Sequence, residues 1–158
     1  VYQPDFLELP EIVTAHIDGR RIVDITGPEN LVAAFKGHYE RVASKFGLKP
    51  FNIDSWHAGI HPLMGYDMSA SANPPRWAQT VFTNTRVLHF HTCGTEPPGE
   101  ICWMIIDPTI TIDGIALWEN GRLHPHRFAR TMDILRAVPE LSHAFAASVG
   151  EIGLEGAA

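Results

Sequence analysis

The sequence predicts an α+β fold: a mixed, largely antiparallel sheet with one long helix after an N-terminal hairpin and further helices at the C-terminus. Two short β-branched runs flank Asp18-Gly19, which is the composition of a hairpin with a tight turn. Apolar residues then recur near helical spacing over 28–46. Several short apolar runs follow residue 87, with Asp113-Gly114 and Asn120-Gly121 as turn signals, and these indicate antiparallel strands.

The first half of the chain contains the hairpin over 12–25, the long helix and one further strand. The helix over 28–46 starts where Pro28 stands near the first helical position, and it ends at Gly47. The stretch 51–60 predicts a short strand entering a loop. The segment 62–77 is rich in Gly, Ser, Asn and Pro, and it predicts a long loop with a helical turn around 64–68.

The second half predicts four strands followed by two helical segments. The strands are expected over 87–91, 101–106, 109–113 and 115–118. A helical pattern follows Pro125, Pro139 breaks it, and 141–149 predicts a last helix.

Length and composition favour one α+β domain over 1–150 in a chain of 158 residues, with a frayed tail over 151–158. Ordinary hydrophobic content without a long apolar stretch predicts a soluble protein with no membrane association. The net charge of -6 and the absence of any basic run argue against nucleic acid as a partner. Two cysteines and no signal-peptide pattern favour the cytoplasm.

Four of the nine histidines form two tight groups, His57 with His61 and His89 with His91, and these are the main functional signal. Residues two apart on a strand point to the same face, so His89 and His91 are candidate ligands of one Zn(II) or Fe(II) ion. The acids Glu96 and Glu100 follow across a Pro-Pro turn that could fold them toward the same site. Two histidines and a carboxylate form the facial arrangement of non-haem iron enzymes.

Each of these signals has a structural alternative. Alternating histidines on a strand also suit a solvated face, and His57 and His61 also suit surface positions, although His61 is a candidate catalytic residue. His124 and His126 around Pro125 favour a structural turn at a helix entry. The two cysteines, Cys93 and Cys102, are either soft ligands, a nucleophile or small core residues.

The order of several segments resembles the C-terminal half of the aminopeptidase T-like superfamily, which includes leucyl-aminopeptidase-like metallopeptidases and 2,5-dihydroxypyridine 5,6-dioxygenase. The segments that carry the resemblance are GRRIVDITGPENLVAAF, FNIDSWHAGIHP, HFHTCG and GEICWMIIDPTITIDG. The resemblance covers about 20–124 and implies a metal-dependent enzyme. It also implies that the chain, which begins at Val1, is the C-terminal portion of a longer protein or pairs with a partner chain.

Carried over residue by residue, the resemblance implies that His57 is a metal ligand, as in the dioxygenase branch. The superfamily's His-x-Asp pair falls on Glu100 and Cys102, counting back from Asp113-Gly114. Glu100 remains a candidate ligand or general base, whereas Cys102 in place of Asp shifts the preference toward softer ions or abolishes the site. His89 and His91 offer compensating nitrogen ligands from the neighbouring strand.

The leading hypothesis is therefore a divalent-metal enzyme, a non-haem iron dioxygenase or an aminopeptidase-like hydrolase, that acts on a small and possibly aromatic substrate. Its metal ligands are expected to be His57, His89, His91 and Glu100. One alternative is a non-catalytic binding or dimerisation module that has lost the ligands, and a weaker one is a cupin-like metal protein suggested by His89, His91 and Glu96. Unpaired sheet edges favour a homo-oligomer.

Overall fold

The computed structural model describes residues 9–95 and 98–154. Within these residues the chain forms four helices and three small antiparallel sheets, so the expected α+β class is confirmed. The chain divides into two compact units, and the single domain expected over 1–150 stays a prediction. Unit 1 is the chain up to Trp56 together with Phe90–Trp103, and unit 2 is His57–His89 together with the chain from Met104. No helix of the described chain combines the length and apolar character needed to cross a bilayer.

Unit 1 begins with the hairpin and the long helix. Strands β1 (Thr14–Asp18) and β2 (Arg21–Thr26) pair antiparallel around the expected Asp18-Gly19 turn. Helix α1 (Glu29–Phe46) ends at Gly47, whose φ of 66° lies in the left-handed region that a residue without a Cβ adopts at little cost. Both sequence-predicted elements are confirmed.

A three-stranded sheet contains the histidine-bearing strands. It is formed by β3 (Ile53–Ala58), β4 (Val87–Thr92) and β5 (Ile101–Ile106), in that order. The sequence predicts all three strands within a few residues, because each is a short apolar run bounded by turn-forming residues. The core of unit 1 contains Ile22, Ile25, Tyr39, Ala43, Ile53, Phe90 and Cys93.

The prediction of a loop through residue 77 is wrong from Pro74 onward, because helix α2 (Pro74–Val81) begins there. The side-chain oxygen of Asn73 accepts a hydrogen bond from the Arg76 N–H at 3.1 Å, and Pro74 occupies the first helical position. Asn and Pro are loop formers, but at these positions they also start a helix. The preceding 3₁₀ turn lies at Ala70–Ala72, not around 64–68 as expected.

The rest of unit 2 is a small meander followed by two short helices. Strands β6 (Ile110–Ile112), β7 (Ile115–Glu119) and β8 (Arg122–Leu123) pair antiparallel in that order. The first two confirm the expected strands over 109–113 and 115–118, whereas β8 is not predicted from the sequence. A 3₁₀ turn at Pro125–Arg127 leads into α3 (Ala129–Ala137). Helix α4 (Pro139–Ala146) starts at Pro139 itself, two residues earlier than expected.

The C-terminal segment 151–154 makes specific contacts within unit 2, and the expected fraying of the tail stays a prediction. Ile152 is 1% exposed. The Tyr66 N–H donates to the Glu151 carbonyl at 2.7 Å, and the Trp77 indole N–H donates to the Ile152 carbonyl at 2.6 Å. A short tail without periodicity carries little sequence signal for such contacts, because its partners lie far away along the chain. The remainder of the predicted tail, 155–158, lies outside the described residues.

Candidate metal centre

His91 and Glu100 form the central pair of the candidate site in unit 1. The Nδ1 atom of His91 lies 2.7 Å from Oε1 of Glu100, and their side chains are only 19% and 13% exposed. His91 lies on β4, and Glu100 directly precedes β5. The Thr92 hydroxyl donates to the Ile101 carbonyl at 2.8 Å, which holds the adjoining residues of the two strands together.

Two glycines allow the chain to approach this pair closely. A Cβ on Gly99 would lie 2.6 Å from the Leu48 side chain, and one on Gly94 would lie 2.9 Å from the Gly99 carbonyl. A larger residue at Gly94 would therefore displace the backbone next to Glu100, whereas one at Gly99 would require the Leu48 side chain to move. The sequence places Glu96 in the same connection, but Glu96 lies outside the described residues, and its predicted role stays a prediction.

Cys102 adds a sulfur to the His91–Glu100 pair. The ligand-type atoms of His91, Glu100 and Cys102 all lie within 4.8 Å of one another. Glu100 and Cys102 are two residues apart, so they project from the same face as β5 begins. Desolvation, followed by the charge of Glu100, raises the pKa of the Cys102 thiol to about 12, so the thiol is protonated at neutral pH.

His57 and His89 form a second pair, within unit 2. Their imidazole rings stack with centroids 4.7 Å apart and an interplanar angle of 13°. Phe82 stacks on the His89 ring at 4.1 Å, and His89 is only 7% exposed. Strand β4 thus carries one member of each pair, with His89 and His91 at the spacing that places side chains on one strand face.

The structure therefore brings the four expected metal ligands together in two pairs, His57 with His89 and His91 with Glu100. His61, the other expected catalytic residue, is exposed, and its backbone N–H donates to the Thr83 carbonyl at 2.8 Å. Neither group of candidate ligands in the described chain contains His61. Its catalytic role stays a prediction.

Cys93 lies in the core and not among the candidate ligands of the described chain. It is 5% exposed, and its backbone φ of 71° is left-handed. Desolvation, followed by the charge of Asp54, raises the pKa of its thiol. A buried thiol with a raised pKa is a poor nucleophile, so these features support the interpretation of Cys93 as a core residue.

The sequence interpretation missed a cavity of about 480 Å³ in unit 2. Three arginines and two histidines line it: Arg122, His124, His126, Arg127 and Arg136. The sequence does contain a signal, because four basic or imidazole side chains occur within residues 122–127. The expectation of a structural turn covers only His124 and His126 and does not include the two arginines.

Comparison of the chain with protein-family models, with curated protein sequences and with solved structures gives no match. The resemblance to the aminopeptidase T-like superfamily therefore stays a prediction.

Proposed function

We propose that this chain binds a divalent metal ion through His91 and the ligand-type residues around it, and that the ion serves an enzymatic reaction on a small, possibly aromatic substrate. The single observation that carries the proposal is the 2.7 Å contact between His91 Nδ1 and Glu100 Oε1, with the Cys102 sulfur in the same cluster. Histidine ligands of metals commonly donate their second ring N–H to a carboxylate, which fixes the ring orientation.

The donors present fit a borderline ion. Imidazole nitrogen, carboxylate oxygen and thiolate sulfur are all ligands of Zn(II), and nitrogen with carboxylate also suits Fe(II). The Cys102 thiol is protonated in the metal-free protein, so sulfur ligation requires the loss of that proton. We assign Glu100 to either of two roles, a direct ligand or the carboxylate that orients His91 for binding through Nε2.

The second pair extends the proposed ligand set. Within unit 2, His57 and His89 are a second proposed pair of nitrogen ligands, because their imidazole rings stack on each other. A divalent ion supplies either an activated water for hydrolysis or, as Fe(II), oxygen activation. Packing of Phe82 against His89 restricts rotation of the His89 imidazole. The contact with Glu100 restricts rotation of the His91 imidazole.

The first experiment is elemental analysis of the protein purified without chelators, together with its His91→Ala, Glu100→Gln and His57→Ala variants. We expect close to one equivalent of zinc or iron in the wild type, with loss in His91→Ala. The matched control is His143→Ala, an exposed histidine near the end of α4, which should retain the metal. Metal retained in His91→Ala at the wild-type level would refute the assignment.

A non-catalytic binding module is the second candidate function. The observation in its favour is that His91 and Glu100 already satisfy each other by a direct contact, which a metal ion is not needed to stabilise. Metal-free wild-type protein that takes up neither Zn(II) nor Fe(II) would favour this module.

We also extend the enzyme proposal to a cytoplasmic location, which the free thiols of Cys93 and Cys102 support because reducing compartments keep thiols unpaired.

A further inference from the structure

The cavity in unit 2 has the dimensions of a small-molecule site. Its volume of about 480 Å³ falls in the range of roughly 300–1,000 Å³ that is usual for ligand pockets. It is formed by β8, the 3₁₀ turn at Pro125–Arg127, and helices α3 and α4. It contains none of the proposed metal ligands, so the argument for it does not depend on the proposed function.

The cavity lining includes apolar side chains from both helices. Met132 and Leu135 reach it from α3, and Phe145 reaches it from α4. Leu135 is 9% exposed, whereas Met132 and Phe145 are partly exposed. A ring or short hydrocarbon chain placed against these three side chains would remove apolar surface from water on both partners.

The cavity lining also carries positive charge. Arg122, Arg127 and Arg136 line it, and no carboxylate occurs among its lining residues in the described chain. Arg127 is 2.7 Å from the Glu119 carboxylate, and Arg136 is 3.0 Å from that of Asp133, so both guanidinium charges are compensated from outside the cavity.

Arg122 differs from the other two arginines. Its Nη2 donates to the carbonyls of Ala146 and Ala147 at 2.9 and 3.4 Å, and these partners carry no formal charge. His124 experiences the resulting field: burial, followed by the charges of Arg127, His126 and Arg122, lowers the pKa of its imidazole. Among the described residues no carboxylate pairs with Arg122, and one such guanidinium charge matches a ligand with one negative charge.

We propose that this cavity binds a small organic monocarboxylate, with the carboxylate at Arg122 and the apolar body against Met132, Leu135 and Phe145. Arg122 lines the cavity, and its planar guanidinium suits a carboxylate in a bidentate arrangement. A dianion such as phosphate is less well matched, because the second charge would compete with Glu119 and Asp133 for guanidinium groups that are already paired.

The test is an NMR titration of the whole chain with phenylacetate and with phenylacetamide, its neutral analogue of nearly the same shape. We expect the acid to bind about 10-fold more tightly than the amide, because only the acid forms a charge-assisted pair with Arg122. Inorganic phosphate alone should bind more weakly than the acid, since it lacks the apolar body. Equal binding of acid and amide, or no binding of the acid, would overturn the proposal.

Substitutions of the cavity lining test whether phenylacetate binds in this cavity. Arg122→Gln should weaken phenylacetate binding about 10-fold, while Arg122→Lys, which keeps the charge, should retain most of it. Ser142→Trp should block the cavity, and the matched control Arg130→Gln, an exposed arginine of α3 outside the cavity lining, should leave binding unchanged. Wild-type affinity in Ser142→Trp would place the ligand elsewhere and refute the site. If Arg122→Gln fails to fold, the comparison of acid with amide on the wild type still decides.

Discussion

Tyr39 is the centre of a buried hydrogen-bond chain in unit 1. The Trp103 indole N–H donates to the Tyr39 oxygen at 2.6 Å, and the Tyr39 oxygen lies 2.5 Å from the Thr92 hydroxyl oxygen. Thr92 in turn donates to the Ile101 carbonyl at 2.8 Å. Since indole is only a donor and Thr92 gives its proton to Ile101, Tyr39 must donate to Thr92. The hydrogen bonds therefore all donate in the same direction, from Trp103 to the Ile101 carbonyl, and they link α1 to β4 and β5.

Because Tyr39 is buried in this hydrogen-bond chain, we expect the protein to lose stability at alkaline pH. Burial is the largest cause that raises the pKa of Tyr39, from 10.0 to about 12. Because the folded-state pKa lies above the unfolded one, the stabilisation is complete below pH 10 and is lost as the pH rises toward 12. The free energy of unfolding should fall by roughly 2 to 3 kcal/mol over this window. Urea denaturation at a series of pH values measures it.

The matched variant is Tyr39→Phe. At neutral pH it should be about 1 to 2 kcal/mol less stable than the wild type, since it leaves the Trp103 N–H without its acceptor in the core. Its unfolding free energy should no longer show the Tyr39 component of the alkaline loss. An identical decline in Tyr39→Phe and wild type between pH 10 and 12 would show that another group is responsible.

At the residue scale, the sequence predicted the identity of the ligand-type residues better than their partners. The spacing of His89 and His91 indicated one strand face, and both residues lie on β4. The stacking of His57 on His89 and the contact of His91 with Glu100 depend on which strands are neighbours in the sheet. Local periodicity carries no information on that order, so the pairs emerge only from the fold.

At the scale of elements, the sequence predicted well those helices and strands whose boundaries depend on local conformational preferences. The hairpin at Asp18-Gly19 and the end of α1 at Gly47 are examples, because both need a left-handed residue. Helix α2 was missed because Asn73 and Pro74 are compatible with either a loop or a helix start. What distinguishes the two is burial of Trp77, Ala78 and Val81 in the core of unit 2, which is a tertiary effect.

At Gly59, directly after β3, we expect the addition of a single methyl group to reduce stability strongly. A Cβ at this position would lie 1.8 Å from the Asn84 carbonyl oxygen, and Asn84 is fully buried. The Gly59 N–H donates to the Val87 carbonyl at 3.0 Å, so the chain cannot move away without losing that bond. Gly59→Ala should therefore reduce the free energy of unfolding by about 3 kcal/mol. Thermal and urea denaturation both report this loss.

Gly37→Ala is the matched control for the same chemical change. Gly37 lies inside α1, and the nearest atom to an added Cβ is the flexible end of Arg41 at 3.5 Å. Alanine there should stabilise the protein by about 0.5 to 1 kcal/mol, because glycine is entropically costly in a helix. Comparable stabilities of the Gly59 and Gly37 variants would contradict the close approach of Gly59 to Asn84.

At the scale of the whole molecule, the two units have separate buried clusters. The cluster of unit 2 contains Tyr66, Trp77, Ala78, Val81, Val87 and Ile152. Ile152 is the most distant of these along the chain, and its segment also brings Glu151 within 3.8 Å of Arg86. The end of the described chain thus completes the core of unit 2, which explains why a short segment without periodicity is ordered.

Ile152→Ala should destabilise unit 2 by about 2 to 5 kcal/mol, because the residue is 1% exposed and truncation leaves a cavity beside Trp77 and Val81. Hydrogen exchange of the α2 amides is the most direct measurement, and it should accelerate in the variant as local opening becomes more frequent. Ser148→Ala, a change at an exposed residue of the same C-terminal region, should leave α2 exchange at the wild-type rate. Unchanged α2 protection in Ile152→Ala would mean that the C-terminal segment contributes little to this core, and the frayed tail expected from the sequence would then extend to 151–154.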